Sequence, residues 1–497
     1  MSSLRIISPS RLALSLLAIL VLASCATNPV TKRPELVFMS EADEIKLGQQ
    51  MHPQILQQYG RYDDPALQEY VDQVGQAVAA KSDRNKLKYT FTLLDSDEVN
   101  AFAIPGGYVY VTRGIMSYLN SEAELSAVLG HEVGHVAARH PVRQQSQSTL
   151  AGIGAAAVGI FTGNAGLGEL ANYGGSALVR GYGRDMELEA DRLGAEYITR
   201  EGFSSENMIK VVRLLKNQET FEIAAARQEG REPKVYHGVF ATHPDNDTRL
   251  REVVRSAGDL AGKNGANTAT LDDKREPYLQ HLEGLAIGSS RAQGVIRGSR
   301  FYHADMGFTV VFPTGWVLQN LPERLIAISP DKTSLVQMQT MAPPANVGPK
   351  EMLARALAQS GTSRGEELDI NGLKAYTAIA RSAGTPFGQA PARCVVIYYN
   401  NLGYLFLGAS KGSSGAPAAD ALIMSSVKTF RRLKDNEFAL AEPHKLQLIR
   451  AAAGTKIETM AQQAAIEKYP VETLRLLNDL YPDRQPQEGQ LLKTVKD

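Results

Sequence analysis

The chain has 497 residues, long enough for two to four domains and a sizeable core. Its 53 Lys and Arg balance 53 Asp and Glu, so no charge excess argues for nucleic acid or for an acidic surface as partner. Cys25 and Cys394 are the whole cysteine content, which excludes a disulfide scaffold, and the nine histidines are scattered enough that two on one helix are informative.

The first stretch reads as a targeting segment. Arg5 and Arg11 are followed by an apolar run from Leu12 to Leu22, too short for a transmembrane helix. Its end, Leu22-Ala23-Ser24-Cys25, resembles a bacterial lipoprotein signal. That resemblance implies a signal peptide over 1–24 and a diacylated Cys25 as mature N-terminus on the periplasmic side of the envelope. Ala26 stands where an inner-membrane retention aspartate would be, so the resemblance favours the outer membrane. Cys394 is then unpaired and expected to be a small buried residue.

Residues 25–39 are expected to form an extended tether. Ser40 caps a helix to about Tyr59, and Asp64-Pro65 opens a second to about Lys81, with Leu67, Tyr70, Val71, Val74 and Val78 on one stripe. Leu87 to Leu94 alternates as a strand. Pro105-Gly106-Gly107 marks a turn, and Tyr108 to Thr112 is a strand leading toward the next helix. A strand there can pair with an extended substrate through free backbone groups, or be a plain hairpin.

That next helix, Leu125 to Ala137, carries His131-Glu132-x-x-His135. Ser121 and Glu124 offer a capping box, and Leu125, Val128, Leu129 and Val136 recur with helical period, so an amphipathic helix is expected. Two histidines four apart share a face and can hold one zinc ion, with Glu132 placed to take a proton from a metal-bound water. Residues 151–183 are rich in Gly and Ala; a mobile flap, an apolar contact surface and a close-packed helix pair all fit. Arg184-Asp-Met-Glu187-Leu-Glu189-Ala-Asp191 follows. A catalytic zinc needs a third protein ligand; of Glu187 and Asp191, one turn apart, one can bind the metal while the other accepts the N–H of a ligand histidine.

His131-Glu132-x-x-His135 followed by Arg-x-x-Glu-x-Glu-Ala-Asp resembles the zinc metallopeptidase family of the CAAX prenyl proteases, HtpX and BepA. The family often has Ser before that Arg, where this chain has Gly183. The resemblance implies His131, His135 and Glu187 as metal ligands, Glu132 as general base and Asp191 behind His131. Thr242-His243-Pro244, with Arg249 after it, resembles a further active-site segment of the family. His243 is then either a donor to the tetrahedral oxyanion or a fourth zinc ligand that makes the enzyme latent, and Arg249 also lies at the site. One Zn2+ per chain and polypeptide substrates follow from the same resemblance.

Residues 256–300 are expected to be a linker with a short helix, and 301–435 an antiparallel α+β accessory domain weakly similar to the PsbP/Mog1-like fold. Residues 436–497 resemble a βααβ LysM module, a family that binds peptidoglycan or chitin. The whole is thus expected to be an α+β multidomain protein, with a mainly helical zincin-type (gluzincin) peptidase domain over 40–255. The function expected is a lipid-anchored endopeptidase for misfolded or misassembled envelope proteins. The alternative is a largely latent envelope chaperone, scaffold or peptidoglycan binder.

Overall fold

The computed structural model describes residues 25–146, 182–233, 248–249, 251–253, 255, 271–321, 324–343, 347–358, 360–363, 365–385, 387–411 and 416–497. The chain divides into two compact units, one of Met1–Leu285 with Leu446–Lys496, the other of Ala286–Lys445 with Asp497. Among the described residues no helix is long and apolar enough to cross a membrane.

The first unit opens with a ribbon. Strands β1 (Cys25–Thr27) and β2 (Pro34–Leu36) pair antiparallel, Cys25 opposite Leu36. The segment expected as an extended tether is therefore folded back and fastened: the Phe38 amide donates to Ser146 Oγ (3.2 Å) and Arg139 donates to the Met39 carbonyl (2.8 Å). Helix α1 (Glu41–Tyr59) starts at Ser40, whose Oγ accepts from the Asp43 amide, with acidic Glu41, Asp43 and Glu44 in its first turn. Helix α2 (Pro65–Ala79) has Asp64 as its cap and buries the predicted stripe. It rests on a three-stranded sheet of order β3-β5-β4, where β3 (Thr90–Leu94) runs parallel to β5 (Tyr108–Thr112) and β4 (Ala101–Ile104) is the antiparallel edge. Gly106 and Gly107, at φ +85° and +89°, make the β4–β5 turn that side chains would strain.

A short helix α3 (Arg113–Tyr118) leads to α4 (Glu122–Ala137), the helix of the histidine pair. Its amphipathic reading is corrected here: every residue from Ala123 to Ala137 is buried. Helices α5 (Arg184–Glu201) and α6 (Glu206–Glu229) pack against it. After α7 (Arg275–His281) the chain leaves the unit, and it returns along β18 (His444–Arg450) to finish as α10 (Ile457–Ala461), α11 (Pro470–Leu477) and β19 (Leu491–Lys496). The predicted βααβ order is present, but it folds as part of the first unit. Lys493 Nζ, fully buried, donates to the Ser117 and Leu119 carbonyls (2.7 Å each).

The second unit starts at β6 (Ala286–Ile287), earlier than expected. Strands β7 (Val295–Arg297), β8 (Arg300–His303) and β9 (Phe308–Val311) join β17 (Arg431–Arg432) in a four-stranded sheet. The larger sheet is antiparallel, ordered β10-β11-β12-β16-β15-β14-β13. It comprises β10 (Val317–Leu321), β11 (Arg324–Ile328), β12 (Ser334–Met341), β13 (Glu366–Ile370), β14 (Leu373–Thr385), β15 (Gly388–Tyr399) and β16 (Leu402–Ser410). Alternation along β15 splits two cores. Cys394 and Val396 pack under α8 (Pro349–Ala356), while Val395 and Ile397 join Phe308, Phe406 and Phe430 beside α9 (Ala416–Val427). Cys394 is buried as expected, and burial pushes its thiol up to about 11.

Candidate metal centre

Both ends of α4 are held. Ser121 Oγ accepts from the Glu124 amide (3.2 Å), and the Glu124 carboxylate accepts from the Asn120 amide (2.7 Å), one residue earlier than the capping box predicts. At the far end Arg84 donates to the Val136 carbonyl (2.9 Å) while paired to buried Glu44 (3.0 Å), which also takes Arg139 (2.9 Å). Along its length α4 lies against α5 with little between the backbones. A Cβ on Gly194 would come within 2.8 Å of the His131 amide nitrogen and 2.6 Å of Met208 Cε.

This close crossing puts Glu187 of α5 opposite both histidines. His131 Nε2 lies 3.0 Å from His135 Nε2 and 3.5 Å from Glu187 Oε2, and His135 Nε2 lies 3.4 Å from Glu187 Oε1. Their donor atoms all fall within 4.8 Å of one another, and all three side chains are buried.

The far nitrogens are equally determined. His131 Nδ1 sits 2.8 Å from Asp191 Oδ1. His135 Nδ1 meets His140 Nδ1 (2.8 Å), and His140 Nε2 meets Glu189 Oε2 (3.1 Å), which also accepts from Arg143 (2.9 Å). A consistent proton assignment has each Nδ1–H of the pair donating outward and His140 donating to Glu189, so both Nε2 lone pairs face Glu187. Two lone pairs 3.0 Å apart beside a carboxylate form a donor set that suits a cation, and two imidazoles with one carboxylate suit zinc.

For His135 the electrostatics agree. Burial pushes His135 down to about 3, keeping it neutral. Burial also lowers His131, but the Asp191 and Glu187 carboxylates outweigh it and leave the imidazole above its ordinary value. Burial would raise Asp191, yet Arg249 and His131 hold it well below the usual carboxylate range. His140 and Arg143 hold Glu189 at about 2.

Glu132 is buried beside His131 and lines a small cavity of about 20 Å³ with Ile115, Val128, Met208, Val211 and Leu215. Ala101 of the edge strand β4 lines it too. Arg249, predicted at the site, is there: its guanidinium grips Asp191 through two bonds (2.7 and 2.8 Å) and lies 3.3 Å from Glu187. Its observed partners are thus the carboxylates that hold His131 and face the histidine pair. His243, the Gly-rich residues 151–181, the signal segment 1–24 and the linker residues 256–270 lie outside the described residues.

Three participants escaped the sequence reading. His140 and Glu189 form the chain behind His135, and their spacing from the motif residues was the available signal. Tyr182 stacks on the His135 ring at 4.0 Å, and burial together with Glu132 and Glu187 raises its hydroxyl pKa.

The model of peptidase family M48 matches residues 65–257, a span that contains every residue of this cluster. The chain carries an M48 peptidase domain. Several curated proteins are similar to part of the chain. The beta-barrel assembly-enhancing protease of Escherichia coli (strain K12) is 27% identical over 271 residues, 53% of this chain and 50% of that protein. Its namesake in Yersinia pestis is 30% identical over 208 residues, 40% of each chain. Mitochondrial metalloendopeptidase OMA1 of Schizosaccharomyces pombe is 28% identical over 236 residues, 45% of this chain and 64% of that one. The chain thus spans about half the length of the first of these relatives. The solved structure of cyanobacterial PsbP (CyanoP) from Synechocystis sp. PCC 6803 is similar over 28% of this chain at 12% identity, with a TM-score of 0.23, a level that carries no argument.

Proposed function

We propose that this chain is a zinc-dependent endopeptidase. The observation that carries the reading is the convergence of His131, His135 and Glu187 beside Glu132. A zinc ion held by those three residues supplies Lewis acidity and a water of lowered pKa. Glu132 takes the proton of the attacking water and delivers it to the leaving amine. Asp191 and His140 keep the two imidazoles turned with Nε2 inward, and Arg249 keeps Asp191 ionised while lying 3.3 Å from Glu187. The edge strand β4 offers its outer backbone to an extended substrate beside the cavity of Glu132. His243 is retained as a candidate for the site, as oxyanion donor or fourth metal ligand.

The substrates we propose are misfolded or misassembled polypeptides of the bacterial envelope, reached from a lipid anchor at Cys25 on the periplasmic side, with the outer membrane favoured. The names of the relatives and the Leu-Ala-Ser-Cys25 sequence support that setting. A LysM-like role for the C-terminal βααβ segment, with peptidoglycan as ligand, belongs to the same proposal.

The test uses an unfolded protein substrate and a zinc assay. Glu132→Gln is expected to keep the metal and lower turnover by about 10²–10⁴-fold, while His135→Ala loses both. Full cleavage by Glu132→Gln, or wild-type protein that takes up no zinc, refutes the reading.

A further inference from the structure

A cavity of about 510 Å³ opens in the first unit, away from the metal cluster. Its wall combines the start of α4 (Asn120, Glu124), Lys210 of α6, Arg275 of α7 and the loop from Asn478 to Gln490 between α11 and β19. Segments more than 350 residues apart in the chain meet there, Asn120 Nδ2 donating to the Leu477 carbonyl (3.1 Å). The volume is that of a small-ligand site, yet Leu480 is the one apolar lining side chain.

Two features define what would fill it. The first is charge. Lys210, Arg275 and Arg484 line the cavity with Glu124 and Asp479; Lys210 is paired with Asp273 (2.5 Å), and Asp479 is shared by Arg213 (3.1 Å) and Arg484 (3.3 Å). Among the described residues the bonds of Arg275 run to carbonyls, those of Asn120 (3.1 Å) and Leu491 (3.2 Å). Burial lowers its pKa despite the nearby carboxylates, so its positive charge is incompletely compensated. Lys493, just behind, is likewise held by carbonyls. Burial pushes Glu124 upward.

The second feature is an orphan acceptor. Asn120 is 2% exposed, and its Nδ2 donates to the Tyr118 (2.7 Å) and Leu477 carbonyls, which fixes the orientation of the amide. Its Oδ1 is then buried with no hydrogen-bond partner among the described residues. An acceptor left so in a native interior calls for an N–H or O–H donor. The ligand therefore carries an anion and, close to it, a donor.

We propose that this cavity binds the carboxylate end of a peptide. The terminal carboxylate lies with Arg275, and the N–H of the last peptide bond donates to Asn120 Oδ1. No bond is made or broken, and the proposal does not depend on the hydrolytic reading, because binding is measured without turnover.

The experiment is calorimetric titration of the full-length chain with acetyl-trialanine, with its C-terminal amide, and with acetate and free alanine. The acid is expected to bind saturably and at least tenfold tighter than the amide, acetate or alanine. Arg275→Gln is expected to weaken the acid tenfold or more with zinc content unchanged, which separates this cavity from any carboxylate binding at the metal cluster. Arg484→Gln, at an exposed position, is a second variant expected to weaken it about threefold should Arg275→Gln fold poorly. Equal binding of acid and amide, no binding at millimolar concentration, or binding indifferent to both substitutions overturns the proposal. Acetate or alanine binding as tightly as the peptide overturns the peptide assignment.

Discussion

His140 shows how a buried polar residue is made acceptable by function. An imidazole and a carboxylate placed under a helix are costly unless each bond is satisfied. Here His135, His140, Glu189 and Arg143 form one unbroken series of contacts of 2.8, 3.1 and 2.9 Å. Its end nearest the metal cluster fixes which nitrogen of His135 carries the proton. His140→Ala, and separately Glu189→Gln, are therefore expected to weaken zinc binding by about 10–100-fold while leaving the fold intact. Competition against a chromophoric chelator reads this directly. An unchanged affinity in both variants would mean that His135 is positioned by packing alone, with Tyr182 the obvious candidate from its stacked ring.

At the scale of elements, the metal cluster exists because α4 and α5 approach closely at glycine. A Cβ at Gly194 meets the His131 backbone nitrogen at 2.8 Å and the Gly130 carbonyl carbon at 3.0 Å, neither of which can swing aside. Gly194→Ala should push the helices apart, destabilise the domain by about 1–3 kcal/mol and loosen zinc, because His131 and Glu187 sit on opposite sides of that contact. Gly183 gives the contrast. It caps α5 with φ −68° and ψ 154°, makes no side-chain cap bond, and a Cβ there meets no described residue within 4 Å. Gly183→Ser is expected to be neutral or to stabilise by a few tenths of a kcal/mol, with zinc affinity unchanged. Thermal melts and zinc titrations of the two variants side by side test the pair. These elements also show what the sequence made legible. The stripe of α2, the cap at Ser40 and the helical spacing of His131 with His135 and of Glu187 with Asp191 follow from periodicity and reappear in the structure. The burial of α4 on all sides does not, because its polar positions are buried for their chemistry and periodicity counts them as solvent-facing. Strand β13 is not legible in the sequence, since Glu366-Glu367-Leu368-Asp369 reads as a charged loop, nor is the end of β14, since Arg381-Ser-Ala-Gly-Thr385 carries turn residues.

For the whole molecule, the point least visible in the sequence is that the chain comes back. A reading in chain order places a separate module at 436–497, because composition and turns mark a boundary and nothing local reports a distant partner. Instead Leu446–Lys496 belongs with Met1–Leu285. Lys493 satisfies two carbonyls around the end of α3, and the Leu477 carbonyl takes the side-chain amide of Asn120 just before the metal helix. Removing the segment exposes those carbonyls and uncovers Asn120 at the entrance to α4. Each lost bond alone is worth about 0.5–1.5 kcal/mol, and a buried group left unsatisfied costs about 1–3 kcal/mol, so three together rival the net stability of a domain. A chain truncated after Lys445 is therefore expected to lose cooperative unfolding of the M48 domain or to melt about 10 °C or more below the intact protein, with zinc affinity falling alongside. Scanning calorimetry of the two proteins, each with and without zinc, separates the cases. A truncated chain that melts and binds zinc like the intact one would make the last fifty residues an appended binding module, and the cavity at Asn120 and Arg275 would then contribute nothing to the metal helix.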